Sequence, residues 1–392
     1  NYSVIQGTLA VDLDGKKVHI HERESINILP NQLHRLYNES DQNVIVIEVD
    51  TGQEIDERDM IHLDEVAMHA GSIPDMYLLS PAYKDYLWGG TRLVTQFGKK
   101  SPYDITAESW ELSAHKDGQS RIIGGTFDGK LFGDFIREYG AKVCGWKSRT
   151  FDRFPILIKF IDAAKPLSVQ IHPDDEYAFS NEKEFGKNEM WYVMDAEEDA
   201  YLYCGFARKV TEQEVRERLA NNTITEVLNK VTVKKGDVIF IPAGTIHAIG
   251  AGILICEIQQ NSNTTYRVYD YDRRGADGKP RELHIDKAID VSVLTPSDSA
   301  DSSGSTVSHG GYTSRMIAKC KYFTTERIEV NGEADLSIDK DSFRSVIVTD
   351  GSAVLEAGDT KLDIKKGDSI FIPSFDGNIK ISGNCGILLS YV

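Results

Sequence analysis

Four side chains in the middle of the chain have the residue types and the spacing of a metal site. They are Gln170, His172, Glu189 and His247. In PLSVQIHPDD, Gln170 and His172 are two residues apart, so on a strand both side chains point to one face. Glu189 begins the apolar run of KNEMWYVMD, and His247 follows the tight turn of PAGTIHAIG. The sequence therefore predicts a site with two imidazoles, one carboxylate and one amide oxygen.

The donor set indicates which ion this site holds. Nitrogen and oxygen donors without thiolate suit one zinc ion per chain, with other divalent first-row ions as competitors, at bond lengths of about 2.0–2.2 Å. A catalytic ion keeps an open position for water or substrate. A lone histidine in an apolar run is more often a hydrogen-bonded core residue, but four donor residues at this spacing favour metal binding.

The remaining histidines carry no comparable pattern. His19 and His21 form an H-x-H on an N-terminal strand, yet they lie too close to Pro30 for the strands that a metal site of this kind needs. We interpret them as a solvated strand face. No role is assigned to the other six, which are His34, His62, His69, His115, His284 and His309.

Short β-rich runs separated by Gly, Asp and Asn must position these residues. The runs span 44–49, 154–161, 190–194, 237–242, 252–258, 345–349 and 369–373. Closely spaced strands with turn residues between them predict a β-sandwich or barrel. Helical signals are few: a capping box at Thr211–Glu214 predicts a helical segment over 211–230, and Leu131 to Tyr139 predicts a second helix.

An internal repeat organises the strands. The frame KKGD-x-IFIP occurs at 234–250 and again at 365–381, but only the first copy contains a histidine, His247. A weaker copy at 7–30 aligns with 351–373. The repeats predict three related β units, of which the last keeps strands and turns for packing and has lost the metal ligand.

Two changes in composition suggest domain boundaries. Periodicity is lost near residues 62–76, and the Ser/Asp/Gly-rich stretch 295–311 is typical of a flexible linker. We predict three domains, at 1–70, 71–300 and 301–392.

The charge balance excludes some partners. With 44 basic and 61 acidic residues the formal charge is −17, which disfavours nucleic acid and anionic membranes. A small anion remains compatible if a few cations converge in one cleft. Five widely spaced cysteines without a C-x-x-C pair, and no visible secretory signal, predict a reduced, cytoplasmic protein. The long uncharged stretch from Val238 to Cys256 is interrupted by Pro and Gly, so a buried hairpin is expected rather than a membrane span.

Six ordered motifs resemble type I mannose-6-phosphate isomerase, a zinc-dependent enzyme of the cupin superfamily. The motifs are YLWGG, ESWELSAH, PLSVQIHPDD, KNEMWYV, PAGTIHAIG and EIQQNSNTTYRVYDYDR. The resemblance runs from about Tyr77 to the C-terminus. It implies a mainly β fold of jelly-roll-like cupin barrels, with one central metal-binding barrel, one degenerate C-terminal barrel and a small helical insertion.

The resemblance also implies an activity and its residues. Mannose 6-phosphate and fructose 6-phosphate would interconvert through an enediol, with proton transfer between C2 and C1. The family's zinc ligands fall on the quartet already identified. Arg267, Lys187 and Lys159 match catalytic and substrate-binding positions, and Ser168 matches a substrate-contacting serine.

Physical chemistry fits these roles but leaves alternatives. A Lewis acid stabilises enediolate charge, and a guanidinium suits phosphate or enediolate. A desolvated lysine whose pKa is lowered can move protons, so the catalytic base stays open. Lys159 has the alternative of snorkelling to the surface, and Arg267 that of pairing with Asp270 or Asp272.

Residues 1–70 resemble a different family of mannose-phosphate enzymes. The stretch is similar to the C-terminal cupin tail of mannose-1-phosphate guanylyltransferases and their bifunctional isomerase relatives. It lacks a Gly-rich nucleotide-binding segment, so no transferase chemistry is expected from it. The resemblance implies a partial cupin unit derived from a longer fusion.

Two other functions are compatible with a metal-binding cupin. One is a metal-dependent dioxygenase, although such sites generally use more histidine and redox-active iron. The other is a non-catalytic sugar-phosphate-binding protein. In the favoured hypothesis the partner is a small-molecule sugar phosphate.

Overall fold

The computed structural model describes residues 1–13, 16–29, 32, 34–38, 44–49, 76–275, 278–296, 304–358 and 360–392. Contacts divide the chain into two units, Asn1–Met68 and His69–Val392. The boundaries predicted near residues 70 and 300, with His62 and His69, lie outside the described residues, so the three-domain division stays a prediction. Within the described ranges no helix is both long and apolar enough to cross a membrane.

The N-terminal unit contains two small antiparallel sheets around one core. Its strands are β1 (Tyr2–Gln6), β2 (Thr8–Leu13), β3 (Lys16–His21), β4 (Ser25–Ile26), β5 (His34–Tyr37) and β6 (Ile45–Glu48). The sheet orders are β4-β1-β6 and β3-β2-β5. Val4, Leu9, Val11 and Ile20 are buried between them because apolar residues recur at period two along the strands.

A central barrel follows, built from two sheets. The strands of this part of the chain are β7 (Tyr77–Ser80), β8 (Ala82–Lys84), β9 (Glu108–Leu112), β10 (Arg121–Ile123), β11 (Ile156–Ala163), β12 (Val169–Ile171), β13 (Glu189–Ala196), β14 (Tyr201–Phe206), β15 (Leu228–Thr232), β16 (Val238–Ile241), β17 (His247–Ile249), β18 (Ile253–Gln260) and β19 (Tyr266–Tyr269). Of these, β7 and β10 belong to the sheet of the C-terminal barrel. One sheet has the order β16-β13-β18-β11-β9-β8, and the other β15-β14-β17-β12-β19.

The four central strands of the six-stranded sheet, β13, β18, β11 and β9, are buried on both faces. In β18, Ile253 and Ile255 face the barrel interior, whereas Leu254, Cys256 and Ile258 belong to the core outside the barrel. The same alternation holds in β11 and β13. Near-continuous apolar runs therefore still have two distinct faces, and a polar residue at an interior-facing position must point into the barrel.

The C-terminal barrel is formed by long antiparallel strands. They are β20 (Val307–Ser308), β21 (Tyr312–Lys319), β22 (Thr324–Ile338), β23 (Arg344–Ala357), β24 (Thr360–Lys365), β25 (Ser369–Ile372) and β26 (Gly377–Tyr391). They form one sheet in the order β10-β7-β25-β23-β26-β22-β21-β20, with β24 paired to β23. Its interior is filled by aliphatic side chains such as Ile328, Leu355 and Ile381.

Helices are short and lie on the outside. They are α1 (Arg92–Thr95), α2 (Phe132–Tyr139), α3 (Ala141–Cys144), α4 (Asp175–Asn181), α5 (Glu212–Ala220) and α6 (Ile285–Val291), with 3-10 turns at Gly125–Phe127, Lys147–Thr150 and Ile224–Val227. The Thr211 hydroxyl accepts a hydrogen bond from the Glu214 N–H, as the capping box predicts. The predicted helical length of 211–230 is wrong, because Asn222 adopts a φ of +58° and ends the helix.

An aromatic cluster packs α2 and the outer face of the six-stranded sheet against the C-terminal barrel. Phe132 and Phe371 have ring centroids 5.0 Å apart, and Phe154 and Phe343 are 4.9 Å apart. These four side chains are at most 6% exposed. Each contributes roughly 1.5–3 kcal/mol of burial free energy, so the cluster fixes the sheet that carries half of the site.

Candidate metal and substrate site

Three strands of the central barrel place the four predicted ligands. Gln170 lies in β12 and His172 just after it, Glu189 begins β13, and His247 begins β17. Gln170 is paired with His247 across the five-stranded sheet, and Glu189 belongs to the facing sheet. The two sheets therefore bring the quartet together at one end of the barrel interior.

The three titratable ligand candidates form one compact buried group. Ligand atoms of His172, Glu189 and His247 all lie within 4.8 Å of one another. The Nε2 atoms of the two histidines are 3.5 Å and 3.3 Å from different oxygens of Glu189. All three side chains are at most 1% exposed. Three donors converging from separate elements make a binding position for a cation.

Backbone carbonyls orient both imidazoles. His172 Nδ1 lies 2.9 Å from the Thr264 carbonyl oxygen, and His247 Nδ1 lies 2.8 Å from that of Thr245. Because a carbonyl oxygen only accepts, each Nδ1 donates its proton and each Nε2 presents a lone pair to Glu189. This tautomer is the one that binds a metal through Nε2.

Burial sets the protonation of the ligand group. It lowers the pKa of His247 to about 4 and that of His172 well below its usual range, so both imidazoles are neutral near pH 7. Burial also raises the pKa of Glu189 to about 7. Neutral imidazole is the form that coordinates metals, and a cation beside Glu189 would favour its ionised form.

Gln170, the fourth predicted ligand, is less buried than the other three. Its side-chain nitrogen lies 3.4 Å from His247 Nε2, and its side chain is only partly buried. Rotating the amide by 180° would present the oxygen instead, an assignment that rests on the surrounding hydrogen bonds. The position suits a fourth, amide-oxygen ligand beside the three buried ones.

Unsatisfied acceptors supply a test of whether these residues fit a metal ion. Among the described residues, neither carboxylate oxygen of Glu189, both buried, makes a well-formed hydrogen bond, and only Oε2 has a lysine, Lys187, within ion-pair distance, at 2.8 Å. A buried carboxylate without hydrogen bonds is costly unless a cation offsets it. With two oriented Nε2 lone pairs next to it, this donor set fits a divalent ion.

Two lysines approach the carboxylates of the site. Lys187 Nζ lies 2.8 Å from Glu189 Oε2 and 3.1 Å from His172 Nε2. Lys159 Nζ lies 3.3 Å from Glu257 Oε1. Lys159 is 4% exposed, so the alternative of snorkelling to the surface is wrong. Both predicted lysines thus face the barrel interior.

The charge state of Lys159 differs from expectation. Burial lowers its pKa, but the nearby carboxylates of Glu108, Glu257 and Glu189 outweigh burial and raise the pKa above its usual value. Lys159 therefore stays protonated near pH 7. The pKa of Lys159 is thus not lowered, as it would be in a desolvated lysine that transfers protons.

Glu257, a carboxylate at the centre of the site, was not predicted from the sequence. Its Oε2 accepts a 2.9 Å hydrogen bond from Trp191 Nε1, and its Oε1 makes no hydrogen bond. Lys187 is 4.0 Å away and Lys159 is closer. Burial raises the pKa of Glu257, but the two lysines outweigh it and lower the pKa below its usual value. Glu257 is therefore an ionised acceptor.

Glu108 and Trp110 were also missed. The indole of Trp110 donates a 2.7 Å hydrogen bond to Glu108 Oε2, and Lys159 Nζ lies 4.8 Å from the ring centroid of Trp110. The signal was available: these polar residues and Glu257 interrupt strands that are otherwise buried. A charged residue at an interior-facing position of such a strand marks a site.

Arg267 stands at the wall next to Gln170, with which it is paired in the sheet. Its Nε donates a 3.2 Å hydrogen bond to Ser168 Oγ. The alternative of pairing with Asp270 is wrong, because that carboxylate binds Arg273 and Arg281, at 2.5 Å and 2.6 Å. Arg267 is half-buried without a carboxylate within salt-bridge distance among the described residues, so its charge is available to an anion.

Three family models match the chain. Residues 76–202 match the phosphomannose isomerase type I catalytic domain, and residues 313–392 match the mannose-6-phosphate isomerase cupin domain. Residues 1–65 match the model described as mannose-6-phosphate isomerase C-terminal. The matches confirm the resemblance and the cupin assignment, and they place a C-terminal type of module at the beginning of this chain.

The chain aligns with curated relatives over nearly the full length of those proteins. The chain is 38% identical over 316 residues to the mannose-6-phosphate isomerase ManA of Bacillus subtilis, covering 80% of this chain and 97% of that protein. It is 36% identical over 312 residues to the mannose-6-phosphate isomerase of Streptococcus mutans, covering 78% and 96%.

Solved structures agree with the fold. The crystal structure of the mannose 6-phosphate isomerase from Bacillus subtilis superposes with a TM-score of 0.77 at 35% identity, covering 81% of this chain and all of that one. A mannose 6-phosphate isomerase bound with zinc and yttrium superposes with a TM-score of 0.63 at 19% identity, covering 81% and 99%. The second likeness shows the fold alone.

Proposed function

We propose that this chain, which belongs to the type I mannose-6-phosphate isomerase family, interconverts mannose 6-phosphate and fructose 6-phosphate at the site around His172, Glu189 and His247. Family membership makes the chain an aldose–ketose isomerase. The observation that carries the location of the site is the convergence of those three side chains inside the barrel, with the Nε2 atoms of both imidazoles facing the buried Glu189 carboxylate.

The ion is proposed to be zinc, one per chain, held by Gln170, His172, Glu189 and His247. Donors without thiolate and two Nε2 lone pairs support this choice, as does the zinc-bound relative of the same fold. Other divalent first-row ions are the competitors. A divalent ion held there supplies Lewis-acid stabilisation of negative charge on the sugar oxygens, worth several kcal/mol.

Proton transfer between C2 and C1 is assigned to Glu257. Its carboxylate is ionised and buried, and Oε1 has no hydrogen bond shorter than its 3.3 Å ion pair with Lys159, which are properties that suit a general base. The Trp191 indole holds the other oxygen and so fixes the orientation of the carboxylate. The same group can return the proton to the neighbouring carbon without a second base.

Lys159 and Lys187 are assigned to electrostatic stabilisation. Lys159 stays protonated, and both ammonium groups lie within 4.0 Å of Glu257. Fixed positive charge in a dry interior stabilises an enediolate more than the neutral sugar, because the charge develops only as the proton leaves. These lysines also keep Glu257 ionised.

Arg267 and Ser168 are assigned to the phosphate of the substrate. A guanidinium without a carboxylate partner can bind phosphate oxygens in bidentate fashion. Ser168 is 4% exposed and accepts a hydrogen bond from Arg267, so it orients the guanidinium. Arg273 and Arg281 lower the net negative charge around this wall.

A coupled isomerase assay on the full chain, before and after chelation, tests the proposal. We expect turnover to disappear with the chelator and to return most fully with zinc. Undiminished isomerase activity in protein shown to be metal-free would contradict it.

The two alternative functions find no support in the relatives named above, which are isomerases. Oxygen consumption with bound iron, or sugar-phosphate binding without turnover in the zinc-loaded protein, would revive them. The proposal includes a reducing, cytoplasmic setting, supported by five cysteines that are all free.

A further inference from the structure

A second cavity lies outside the metal site. It has a volume of about 480 Å³, within the range of small-molecule sites, and is bordered by α2 and the segment just before β11. The lining residues that matter here are His115, Lys116, Arg149, Arg153, Phe154 and Asn261. None of them belongs to the ligand quartet or to the residues assigned to the substrate.

Unsatisfied polar atoms concentrate in two places. Among the described residues, ten buried side-chain polar atoms make no hydrogen bond, and four of them belong to Glu189, Glu257 and Gln259 at the metal site. Three more belong to residues that line the second cavity. These are His115 Nε2, Arg149 Nε and Asn261 Oδ1. Buried unpaired polar atoms are rare, so such a cluster indicates a bound group.

Two of these residues are built into the structure rather than displayed on its surface. His115 is 4% exposed and Asn261 is 2% exposed. Asn261 Nδ2 donates a 2.8 Å hydrogen bond to the Phe154 carbonyl, which leaves its amide oxygen as the unpaired end. The arrangement fixes an acceptor at the cavity wall.

The cations of the cavity are incompletely neutralised. Lys116 and Arg153 share one carboxylate, Glu184, at 2.7 Å and 2.9 Å. Arg149 is half-buried and, among the described residues, has no carboxylate within salt-bridge distance. Asp152 is the acidic residue of the lining. A local excess of positive charge on a chain with a formal charge of −17 selects for an anion.

Arg137 also borders the cavity, but its charge is engaged. Its guanidinium pairs with Asp134 at 3.0 Å within α2. Arg149 is therefore the cation that a ligand would meet without competition from a carboxylate.

We propose that this cavity binds a phosphorylated sugar, at a site separate from the metal site. Arg149, Arg153 and Lys116 supply donors for phosphate oxygens. Asn261 Oδ1 only accepts, so it needs a donor, and the hydroxyl groups of a sugar can supply one while the phosphate is bound by the cations. Phe154 contributes apolar surface to the cavity lining.

Calorimetric titration of the full, metal-loaded chain with glucose 6-phosphate tests the proposal. We expect one binding event that Arg149→Leu weakens by tenfold or more, about the effect of losing one charge-assisted hydrogen bond. Arg149→Lys should restore part of the affinity. The matched control is Arg216→Leu, an exposed arginine on α5, which should leave the titration unchanged.

Two further measurements separate this site from the substrate site. Arg267→Leu should retain the event that Arg149→Leu loses, and Arg149→Leu should keep kcat for mannose 6-phosphate within about twofold of wild type. Inorganic phosphate at equal ionic strength should bind at least tenfold more weakly than glucose 6-phosphate.

Several outcomes would overturn the proposal. One is an Arg149→Leu protein, with unchanged thermal unfolding, that binds glucose 6-phosphate as wild type does. Another is a single event lost only in Arg267→Leu, and a third is equal affinity for inorganic phosphate. Loss of isomerase activity after chelation is a separate readout, so failure of the proposed function would be seen independently.

Discussion

The central barrel and the C-terminal barrel contain the same turn in nearly the same geometry. Lys234–Asp237 forms it in the first and Lys365–Asp368 in the second. Gly236 has a φ of +93° and Gly367 a φ of +94°. In each turn the aspartate side chain accepts a 2.9 Å hydrogen bond from the first lysine N–H. The left-handed glycine and the capping aspartate explain why both copies keep the letters KKGD.

The N-terminal unit contains a third version of this turn. His21 N–H donates a 2.8 Å hydrogen bond to Glu24 Oε2, and Arg23 holds the left-handed position with a φ of +71°. Glutamate replaces aspartate and arginine replaces glycine, so the sequence match is weak although the geometry is kept. This turn supports the prediction of three related β units.

The two barrels differ at the positions that carry ligands. Glu189 is paired with Ile241, and Arg344 is paired with Ile372, which occupies the same place in the second copy of IFIP. An arginine therefore stands where the central barrel has its carboxylate. Arg344 donates to the backbone carbonyl of Ser342 at 2.7 Å. A cation at this position cannot bind another cation.

The other site positions are lost in the same way. The sequence repeat places Asn378, which is exposed, at the position of His247. Glu257 is paired with Trp191 in the central barrel, and the equivalent pair in the C-terminal barrel is Leu389 with Val346. Leucine therefore replaces Glu257. Turns and apolar alternation are thus enough to build the barrel. Buried carboxylates and imidazoles are costly, and the described part of the C-terminal barrel, residues 304–358 and 360–392, buries none.

The C-terminal turn has acquired a different contact. Lys99 Nζ donates hydrogen bonds to the Gly367 carbonyl at 2.5 Å and to Glu111 Oε2 at 2.6 Å. Glu111 lies in β9, whose opposite face carries Glu108 and Trp110 at the site. The C-terminal barrel therefore supports, from behind, a strand that carries residues of the proposed site.

Converting the ligand position of the central barrel into its C-terminal counterpart tests the comparison most strongly. We expect His247→Asn to lose bound metal and to lower kcat/KM by roughly 10³-fold or more, because one oriented imidazole is removed from the metal site. Metal analysis by mass spectrometry and the coupled assay measure this. Asn378→Ala is the matched control and should change neither quantity. A His247→Asn protein with normal metal content and turnover would refute the role of His247.

The next test concerns the base. Glu257→Gln keeps the shape of the side chain but cannot take up a proton, so kcat should fall by about 10²–10⁴-fold while metal content is retained. Steady-state kinetics and metal analysis on the same sample separate the two effects. If Glu257→Gln keeps wild-type kcat while Lys187→Met loses it, the lysine is the base.

The sequence was informative where chemistry has a local pattern. Gln170 and His172 are two apart on one strand, and His247 follows a turn, so their convergence was predictable. Glu257 lies inside GILICEI, the predicted strand at 252–258, where no spacing pattern marks it as a site residue. Its role depends on which strand face meets the barrel interior, and that follows only from the packing of both sheets.

Contacts between distant segments could not be predicted from the sequence. Lys99 and Gly367 are 268 residues apart, and nothing in either segment indicates the other. The second cavity, which Arg149 lines, likewise combines α2, a 3-10 turn and a loop that have no shared motif. Such features depend on tertiary packing, whereas the strands and the turns follow from local residue types.

Breaking the contact between the C-terminal turn and β9 tests whether the second barrel supports the first. Lys99→Met leaves Glu111 buried without its partner, and we expect a loss of about 3–5 kcal/mol in the free energy of unfolding. The Lys99→Met/Glu111→Met double variant should recover most of that loss, because both charges are then removed. Urea unfolding measures both. Equal destabilisation in the single and double variants would show that the ion pair is not the relevant contact.

The smallest effect compares the two glycines directly. Alanine at either position meets the strain of a left-handed backbone, about 1–2 kcal/mol. A Cβ on Gly236 meets no atom within 4 Å, whereas a Cβ on Gly367 would lie 2.7 Å from the Phe97 carbonyl oxygen. Gly367→Ala should therefore destabilise the protein by about 1–3 kcal/mol more than Gly236→Ala, measured by urea unfolding. Equal losses would mean that the C-terminal turn can move away from Phe97 at no cost, and its close docking would then not explain why glycine is kept there.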